Sequence, residues 1–556
     1  MRSMTSFIKK NYIILFIILI LGLYLGIKAL NSDGWDGWGF GSAETLMSSR
    51  YWAKDGFAKN YFLFLPRPYS KLIHYFDEPE FRNRSIQTVN GELSRDRRLY
   101  YTHYPPGYLI PYALIAKSGI ENRAVFRIFS LWISLAALLF FYLFIKEITN
   151  KSIAIIASIY YGFSVTFLNY ADSVSTQPWT ILFAFLILYF SILSRRDSEN
   201  PKNRRYNLWI WPAYFALSLS SYDATFFVFA FLVLSDIFIA KKFLWKKWLF
   251  FASAPVSGFA LQIFQNARYL GWQGMIGDFH RYYAERAIGS FKNFIAGLAA
   301  PFVSLTGIKT FYFFKKSAVA FAGGAAITGI LWKLRQKTES SRNFFRFVFI
   351  FAAAAIIQPF FINVTGLWPY QGVLTAPFWG LIIGVSSVAV WKMARRKIIP
   401  NQTGEKILFA VLAIVAAAIW LYRISDTSDY AKQWPNNKPN RQVIDFSKEI
   451  KRYYPNEEKI MFRIYPKNPE WKSQFPVFNF EYYAGMPVID FADSKDLPAD
   501  FRWLRGRSEY PFYSFIIAEN KSDTEKIRRE LIAQNIKNIS PVTDIQGQKL
   551  FIVGPK

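Results

Sequence analysis

The stretch YIILFIILILGLYLGIKAL, residues 12–30, is followed after a single residue by SDGWDGWGFGSAE, residues 32–44. As a helix, the first stretch is long and apolar enough to cross about 30 Å of hydrocarbon. Basic residues precede it and no small-residue cleavage site closes it, so we predict a retained membrane anchor and not a cleaved signal peptide. The second stretch then carries three acidic residues directly after a membrane boundary.

The composition of the whole chain is typical of a membrane protein that also has sizeable polar segments. Of its 556 residues, 52% are hydrophobic and 19% aromatic, yet the formal net charge is +29. Membrane helices joined by basic loops account for both properties. The chain has no cysteine, which excludes disulfides, thiolate nucleophiles and cysteine-ligated metal sites.

Further apolar stretches predict a polytopic α-helical membrane protein. With the first helix they make about eleven spans. The other spanning candidates are residues 124–145, 152–170, 175–193, 207–221, 224–240, 248–269, 318–332, 344–362, 371–391 and 406–424.

The positions of Lys and Arg predict the orientation of these spans. Basic residues cluster in alternate short loops, at 195–205, 241–247, 333–346 and 392–406. Such loops face the cytoplasm, which puts the N-terminus inside and the C-terminus outside, in what we expect to be a bacterial inner membrane. The basic clusters punctuate apolar spans and form no single patch, so a nucleic-acid surface is not expected.

Three longer segments then lie on the outer side, at residues 31–123, 270–317 and 425–556. The last alternates helical stretches with strand-like ones such as KLFIVG, which predicts a small α/β domain. We therefore expect a membrane domain over 1–424, with a large first outer loop over 31–123, and an extracytoplasmic α/β domain over 425–556.

Asp33 and Asp36 would lie at the outer boundary of the membrane, where a carboxylate can meet both a lipid headgroup and a soluble acceptor. Trp35 and Trp38 beside them are typical of an interfacial belt, and the intervening glycines allow the backbone to approach a ligand. A solvated turn after the helix is the alternative interpretation, since Asp-Gly is common in turns.

Two further motifs belong to the same predicted face. YTHYPPGYLIP, residues 101–111, contains paired prolines that fix a bend and hold His103 and Tyr104 close to the next membrane entry. NYADSVSTQPW, residues 169–179, holds Asp172 in a tight outer turn, close to the predicted depth of Asp36. Ionisable groups at such depth are functional candidates by default, although the prolines could only shape a loop and the turn could simply be hydrated.

The sequence resembles the GT-C superfamily of membrane glycosyltransferases in the order of three features: a first span followed by an acidic loop, then HYPPGY, then an Asp before the fourth span. Its relatives include the protein O-mannosyltransferases and the bacterial aminoarabinose transferase of lipid A. The resemblance implies transfer of a sugar from a polyprenyl-phosphate donor to an acceptor hydroxyl of a lipid, glycan or protein at the outer face. It also implies an acidic general base in the first loop, at Asp36 by its WDG context or at Glu44 by an alternative alignment, with Asp172 as the second acid.

The chemistry requires a base for the acceptor hydroxyl and partners for the leaving phosphate. Our candidates for the phosphate are His103, Arg281 and His280, with Arg286 behind them; a solvated basic helix is the alternative for the last three. A divalent cation could serve instead, but the sequence shows no ligand spacing that demands one. Candidates to line the substrate cavity are Trp35, Tyr104, Trp368, Tyr370 and Gln371. The last three could equally anchor a span at the membrane interface.

Asp223 is the last acidic candidate, and capping of the following helix is its default interpretation. Rival functions remain open at this stage: a transporter or flippase of lipid-linked sugars, a binding scaffold, and a ligase or polymerase that transfers a whole lipid-linked glycan. A transporter would favour charged groups midway in several spans and internal repeats.

Overall fold

The computed structural model describes most of residues 2–286 and parts of the remaining chain. The gaps before residue 287 are 32–38, 68–98, 103, 197–200 and 242–244. Beyond it, the description covers short pieces within 346–354 and 376–388 and the greater part of the segments 449–452, 459–464, 482–491, 513–517, 521–545 and 548–554.

Helices dominate the first half of the chain. They are α1 Arg2–Asn31, α2 Gly39–Asp55, α3 Leu109–Lys117, α4 Arg123–Ile148, α5 Lys151–Gly162, α6 Val165–Tyr170, α7 Thr176–Arg196, α8 Pro201–Ser218, α9 Tyr222–Ser235, α10 Trp245–Arg286 and, near the C-terminus, α11 Lys521–Ala533. The strands are β1 Phe64–Arg67, β2 Leu99–Tyr101, β3 Lys459–Ile464, β4 Val488–Phe491, β5 Tyr513–Ile517, β6 Thr543–Ile545 and β7 Gln548–Val553.

The chain divides into two compact units. The first comprises residues 1–30, 61–63 and 102–429, and the second comprises 31–60, 64–101 and 430–556. The division into a membrane domain over 1–424, with its first outer loop, and an outer domain over 425–556 stays a prediction.

Within the described residues, three helices of the first unit are long and apolar enough to cross a membrane: Asn11–Leu30, Arg123–Ile148 and Thr176–Arg195. They correspond to the predicted first span and to those at 124–145 and 175–193. The total of about eleven spans stays a prediction. On α1, Leu21 and Leu25 are fully buried while Phe16 and Leu23 are about 60% exposed, as expected when one face packs on the bundle and the other meets lipid.

Aromatic side chains fill the centre of the helical bundle. The ring centroids of Phe141 on α4 and Phe185 on α7 lie 4.9 Å apart, and Phe144 lies 5.6 Å from Phe231 on α9. Such contacts contribute beyond the burial of apolar area alone. They hold α4, α7 and α9 together as the rigid part of the first unit.

The predicted span at 152–170 is two helices and not one. α5 ends at Gly162, and α6 starts after Ser164, whose side-chain oxygen accepts a hydrogen bond from the amide of Phe167 at 3.2 Å. A Ser in this position caps a new helix by satisfying one of its free amides. The break sends the chain into the short segment that carries Asp172.

A charged cluster ties α7, α9 and α10 together at the end predicted to face the cytoplasm. Asp236, which is buried, contacts Arg195 at 2.9 Å and Lys247 at 3.5 Å, and accepts a hydrogen bond from the indole of Trp248 at 2.9 Å. It opens a π-helical turn over Asp236–Ala240. A buried carboxylate of this kind is tolerated because it is paired.

The second unit contains a five-stranded mixed sheet in the order β4-β3-β5-β7-β6. β4, β3 and β5 are parallel, whereas β7 runs antiparallel to both β5 and β6. α11 packs with its Ile527 and Leu531 fully buried. The described part of this unit thus contains both strands and a helix, and the α/β domain over 425–556 stays a prediction.

The same unit contains α2, β1 and β2 of the first loop. The hydroxyl of Ser48 on α2 donates to the carbonyl of Leu65 at 2.6 Å, which fastens α2 to β1. Arg50 donates to the hydroxyl of Tyr482 at 2.8 Å and also lies 4.3 Å over its ring. The first-loop helix is therefore fixed to a C-terminal residue by both a hydrogen bond and a cation–π contact.

Candidate functional site

Asp172 forms the centre of a buried ion cluster in the first unit. Its Oδ2 accepts hydrogen bonds from Nε of Arg127, at 3.0 Å, and from Nη2 of the same guanidinium. Its Oδ1 accepts a hydrogen bond from Nζ of Lys28 at 3.3 Å. Asp172 and Arg127 are fully buried, and the Lys28 side chain is 28% exposed.

Backbone carbonyls hold the two cations in place. Lys28 also donates to the carbonyl of Leu168 at 3.0 Å, and Arg127 donates to the carbonyl of Ala29 at 3.4 Å. Three parts of the chain thus meet at one point: the end of α1, the first turns of α4, and the end of α6. Since α1 ends at Asn31, the cluster fixes the point from which the acidic first loop departs.

Electrostatics keep the Asp172 carboxyl ionised. Burial by itself raises the pKa of a carboxyl, but the charges of Arg127 and Lys28 and their hydrogen bonds outweigh it, so the net pKa of Asp172 is lowered. Two cations against one anion leave the cluster with one net positive charge. Both carboxylate oxygens are engaged, which makes Asp172 a poor acceptor for a substrate proton.

The described part of the HYPPGY motif, residues 104–108, contacts the connection between α8 and α9. Pro105 and Pro106 are buried, and the amide of Gly107 donates to the carbonyl of Leu219 at 2.6 Å. A Cβ at Gly107 would lie 2.6 Å from that carbonyl oxygen, so only glycine fits without a backbone shift. Tyr104 packs edge-on against Tyr108 with ring centroids 6.4 Å apart.

The predicted site residues divide into described and undescribed positions. Glu44 lies half-buried on α2, His280 is exposed on α10, and Arg281 continues α10 in its backbone. The capping role predicted for Asp223 belongs to Ser221. The side-chain oxygen of Ser221 accepts a hydrogen bond from the amide of Ala224 at 3.4 Å and so caps α9. The positions outside the described residues are Asp33, Trp35, Asp36, Trp38, His103, Trp368, Tyr370 and Gln371.

The sequence analysis missed both cations of the cluster. Arg127 lies near the start of an apolar span and Lys28 near the end of another. A charged residue inside a span has by default a functional or pairing role, and this signal could have identified both. A transporter would carry a series of charges at mid-span, and single charges near the ends of spans do not form that pattern.

Among the described residues, no group of three or more His, Asp or Glu side chains could hold a metal ion. The divalent cation therefore stays a prediction. The same holds for the catalytic and phosphate-binding roles, because several of their residues lie outside the described ranges.

Comparison of the sequence with protein-family models gives no match, and comparison with curated proteins gives none either. Comparison of structures is informative. The chain shares its fold with a solved structure, and the predicted resemblance is confirmed at the level of the fold.

The similarity to one solved structure extends over the whole chain. This is the crystal structure of ArnT from Cupriavidus metallidurans bound to undecaprenyl phosphate, with a TM-score of 0.58, 11% sequence identity, and coverage of 98% of this chain and 99% of that one.

The oligosaccharyltransferase of Archaeoglobus fulgidus is also similar, at 14% identity. One structure, tethered with an acceptor peptide, has a TM-score of 0.47 over 95% of this chain and 69% of that one. Another, the same enzyme AglB with an inhibitory peptide and a dolichol-phosphate, also scores 0.47, over 92% and 70%. These two likenesses are too distant to support conclusions about this chain.

Proposed function

We propose that this protein is a glycosyltransferase that moves a sugar from a polyprenyl-phosphate carrier to an acceptor hydroxyl at the outer membrane face. The observation that carries the proposal is the fold shared with ArnT over nearly the full length of both chains. That structure contains undecaprenyl phosphate, a carrier of the class required here. The acceptor is a lipid, glycan or protein, and the membrane is a bacterial inner membrane with the N-terminus inside.

The reaction forms one bond and breaks another. A carboxylate of the first loop, Asp36 or Glu44, accepts the proton of the acceptor hydroxyl as its oxygen bonds to the anomeric carbon. The bond between that carbon and the phosphate oxygen breaks, and its electron pair leaves with polyprenyl phosphate. Cationic and hydrogen-bonding groups around the phosphate stabilise the charge that develops.

Asp172 is better suited to positioning than to proton transfer. Hydrogen bonds from Arg127 and Lys28 engage both of its carboxylate oxygens, and its pKa is lowered. Asp172 therefore binds a proton weakly, and both of its oxygens are already engaged by these two cations. We assign to it the role of fixing α1, α4 and α6. The base then lies in the first loop, which leaves α1 immediately after Lys28 and Ala29.

Lys28 joins His103, Arg281 and His280 as a candidate for the donor phosphate. It is the partly exposed member of a cluster with one net positive charge, and two of the three donors of its ammonium bond to Leu168 and Asp172.

The function is tested by incubating purified protein in detergent with a panel of undecaprenyl-phosphate sugars and following released undecaprenyl phosphate by mass spectrometry. We expect release with at least one donor, through transfer or slow hydrolysis, and none with heat-denatured protein. The panel includes a pyrophosphate-linked oligosaccharide. Release from that donor alone would make the protein a ligase of whole glycans, and release from no donor, with transport of one into vesicles, would make it a flippase.

A further inference from the structure

A chain of hydrogen bonds joins the two halves of the kinked helix α10 through the first outer loop. Gln262 donates from Nε2 to Asn266 Oδ1 at 3.1 Å, and Asn266 donates from Nδ2 to the carbonyl of Thr102 at 3.0 Å. The hydroxyl of Thr102 donates to Asp278 Oδ2 at 2.6 Å. Between Asn266 and Asp278 the helix is interrupted at Gly271, whose φ is +74°, so the loop residue bridges the break.

Two amide oxygens beside this network have no hydrogen-bond partner among the residues that the structure describes. They are Oε1 of Gln262 and Oε1 of Gln265, whose side chains are only 3% and 8% exposed. An unsatisfied buried acceptor is unfavourable, and native proteins seldom retain one without a reason. The two residues are three apart on one helix and therefore share a face.

Tyr269 extends the same face by one further turn. It is 8% exposed, and its ring lies 5.6 Å from that of Tyr61 at an angle of 49°. Residues 262, 265, 266 and 269 recur with the spacing of a single helix face. The face thus combines amide oxygens, the nearby carboxylate of Asp278 and aromatic surface.

We propose that this face, formed by Gln262, Gln265, Asn266 and Tyr269 with Thr102 and Asp278, is the subsite that binds the hydroxyls of the transferred sugar. Unsatisfied hydrogen-bond acceptors favour a ligand with several hydrogen-bond donors. The hydroxyls of a sugar ring are such donors, and the ring holds them in a fixed arrangement. Aromatic rings pack on its apolar face. The inference rests on the proposed function, because that function supplies the sugar.

A divalent cation is the less suitable occupant of the face. Such ions are held mainly by carboxylates, and Asp278 is the only carboxylate in this network as described. Neutral amide oxygens suit neutral hydroxyl donors better. The cation nevertheless forms one outcome of the test below.

The test uses Gln265→Leu, with Gln273→Leu as the matched control on the exposed part of α10. Oε1 of Gln265 has no hydrogen-bond partner to lose in the described part of the chain, so we expect the melting temperature of ligand-free Gln265→Leu to equal or exceed that of the wild type. For a transferable undecaprenyl-phosphate sugar, we expect its KM to rise about tenfold, as loss of one hydrogen bond predicts. Gln273→Leu should keep the wild-type KM.

A second measurement separates this subsite from the proposed function. The melting temperature is compared with undecaprenyl phosphate and with the same carrier bearing a sugar; the sugar should add stabilisation in the wild type and in Gln273→Leu but not in Gln265→Leu. If the wild type transfers no sugar, the proposed function fails while this binding comparison still decides the subsite. Equal sugar-dependent stabilisation in all three proteins, or its loss on addition of EDTA, would overturn the sugar assignment.

Discussion

Lys28 donates a hydrogen bond to Asp172 across 144 residues of sequence, and the two atoms lie 3.3 Å apart. Lys28 belongs to the last turn of the first membrane helix, while Asp172 lies in the connection between α6 and α7. Arg127 completes the contact from α4. The departure point of the acidic loop is therefore set by residues far away in sequence and not by the first span alone.

Asp172→Asn should destabilise the first unit severely. Removal of one partner from a buried ion pair leaves the other charge unpaired, at a cost of about 3–5 kcal/mol. We expect a large fall in melting temperature in detergent and loss of activity in proportion to the folded fraction. Glu121→Gln also replaces a carboxylate by an amide, but at an exposed position. It should change neither the melting temperature nor the activity.

The double variant Arg127→Met with Asp172→Leu tests whether the pair is needed for its charge or only for its packing. Replacing both buried charges by apolar side chains is often neutral for stability. We expect the double variant to recover much of the stability lost by Asp172→Asn. Recovery of folding with no recovery of activity would return Asp172 to the catalytic residues.

Asp36→Asn should abolish transfer and leave the protein folded, because an amide cannot accept the acceptor's proton. Glu44→Gln should keep a substantial part of the activity if Asp36 is the base. The measurement is release of undecaprenyl phosphate per folded protein, with the melting temperature as the check on folding. The reverse pattern would move the base to Glu44, and full activity in both variants would remove the base from this loop.

The contribution of Asp172 to stability should not change between pH 5 and pH 8. The folded-state pKa lies below the ordinary value of 3.8, so this contribution is complete above that value and is lost as the pH falls through the folded-state pKa. The difference in melting temperature between the wild type and Asp172→Asn should stay constant down to about pH 5 and shrink below about pH 4. A difference that already shrinks near pH 6 would contradict the ion cluster.

Gly107→Ala should displace the HYPPGY bend. The added methyl group would lie 2.6 Å from both the carbonyl oxygen and the Cβ of Leu219, a contact that requires the backbone to move. Overpacking of this kind costs about 1–3 kcal/mol, and we expect reduced activity as well as a lower melting temperature. Gly277→Ala is the control, because its added methyl group meets nothing within 4 Å; equal effects of the two changes would refute the steric explanation.

Apolar length predicted the helices well where the chain is continuous. The spans at 124–145 and 175–193 agree with α4 and α7 to within a few residues, because hydrophobic length is a property of each segment alone. The break at Ser164 was missed because the residues on both sides are apolar. α3 was missed because prolines before and within it suggested only a bend, although proline is tolerated in the first turn of a helix.

The site was harder to predict because its residues interact through tertiary contacts. The sequence predicts Asp172 as an acid at the outer face, but its pairing with Arg127 depends on where α4 meets the turn, which no local pattern encodes. The same is true of Thr102, whose two hydrogen bonds reach opposite sides of the kink in α10. The first loop and the C-terminal region were treated as separate parts, whereas Arg50 and Tyr482 connect them.

That connection constrains how chimeric enzymes should be built. A C-terminal region taken from a relative would bring its own residue at the position of Tyr482, and Arg50 would lose both its hydrogen bond and the aromatic ring beneath it. Residues 31–101 and the region after 430 should therefore be exchanged together as one cassette. A graft limited to the tail would alter the helix that carries Glu44, and altered donor or acceptor preference could then not be attributed to the tail.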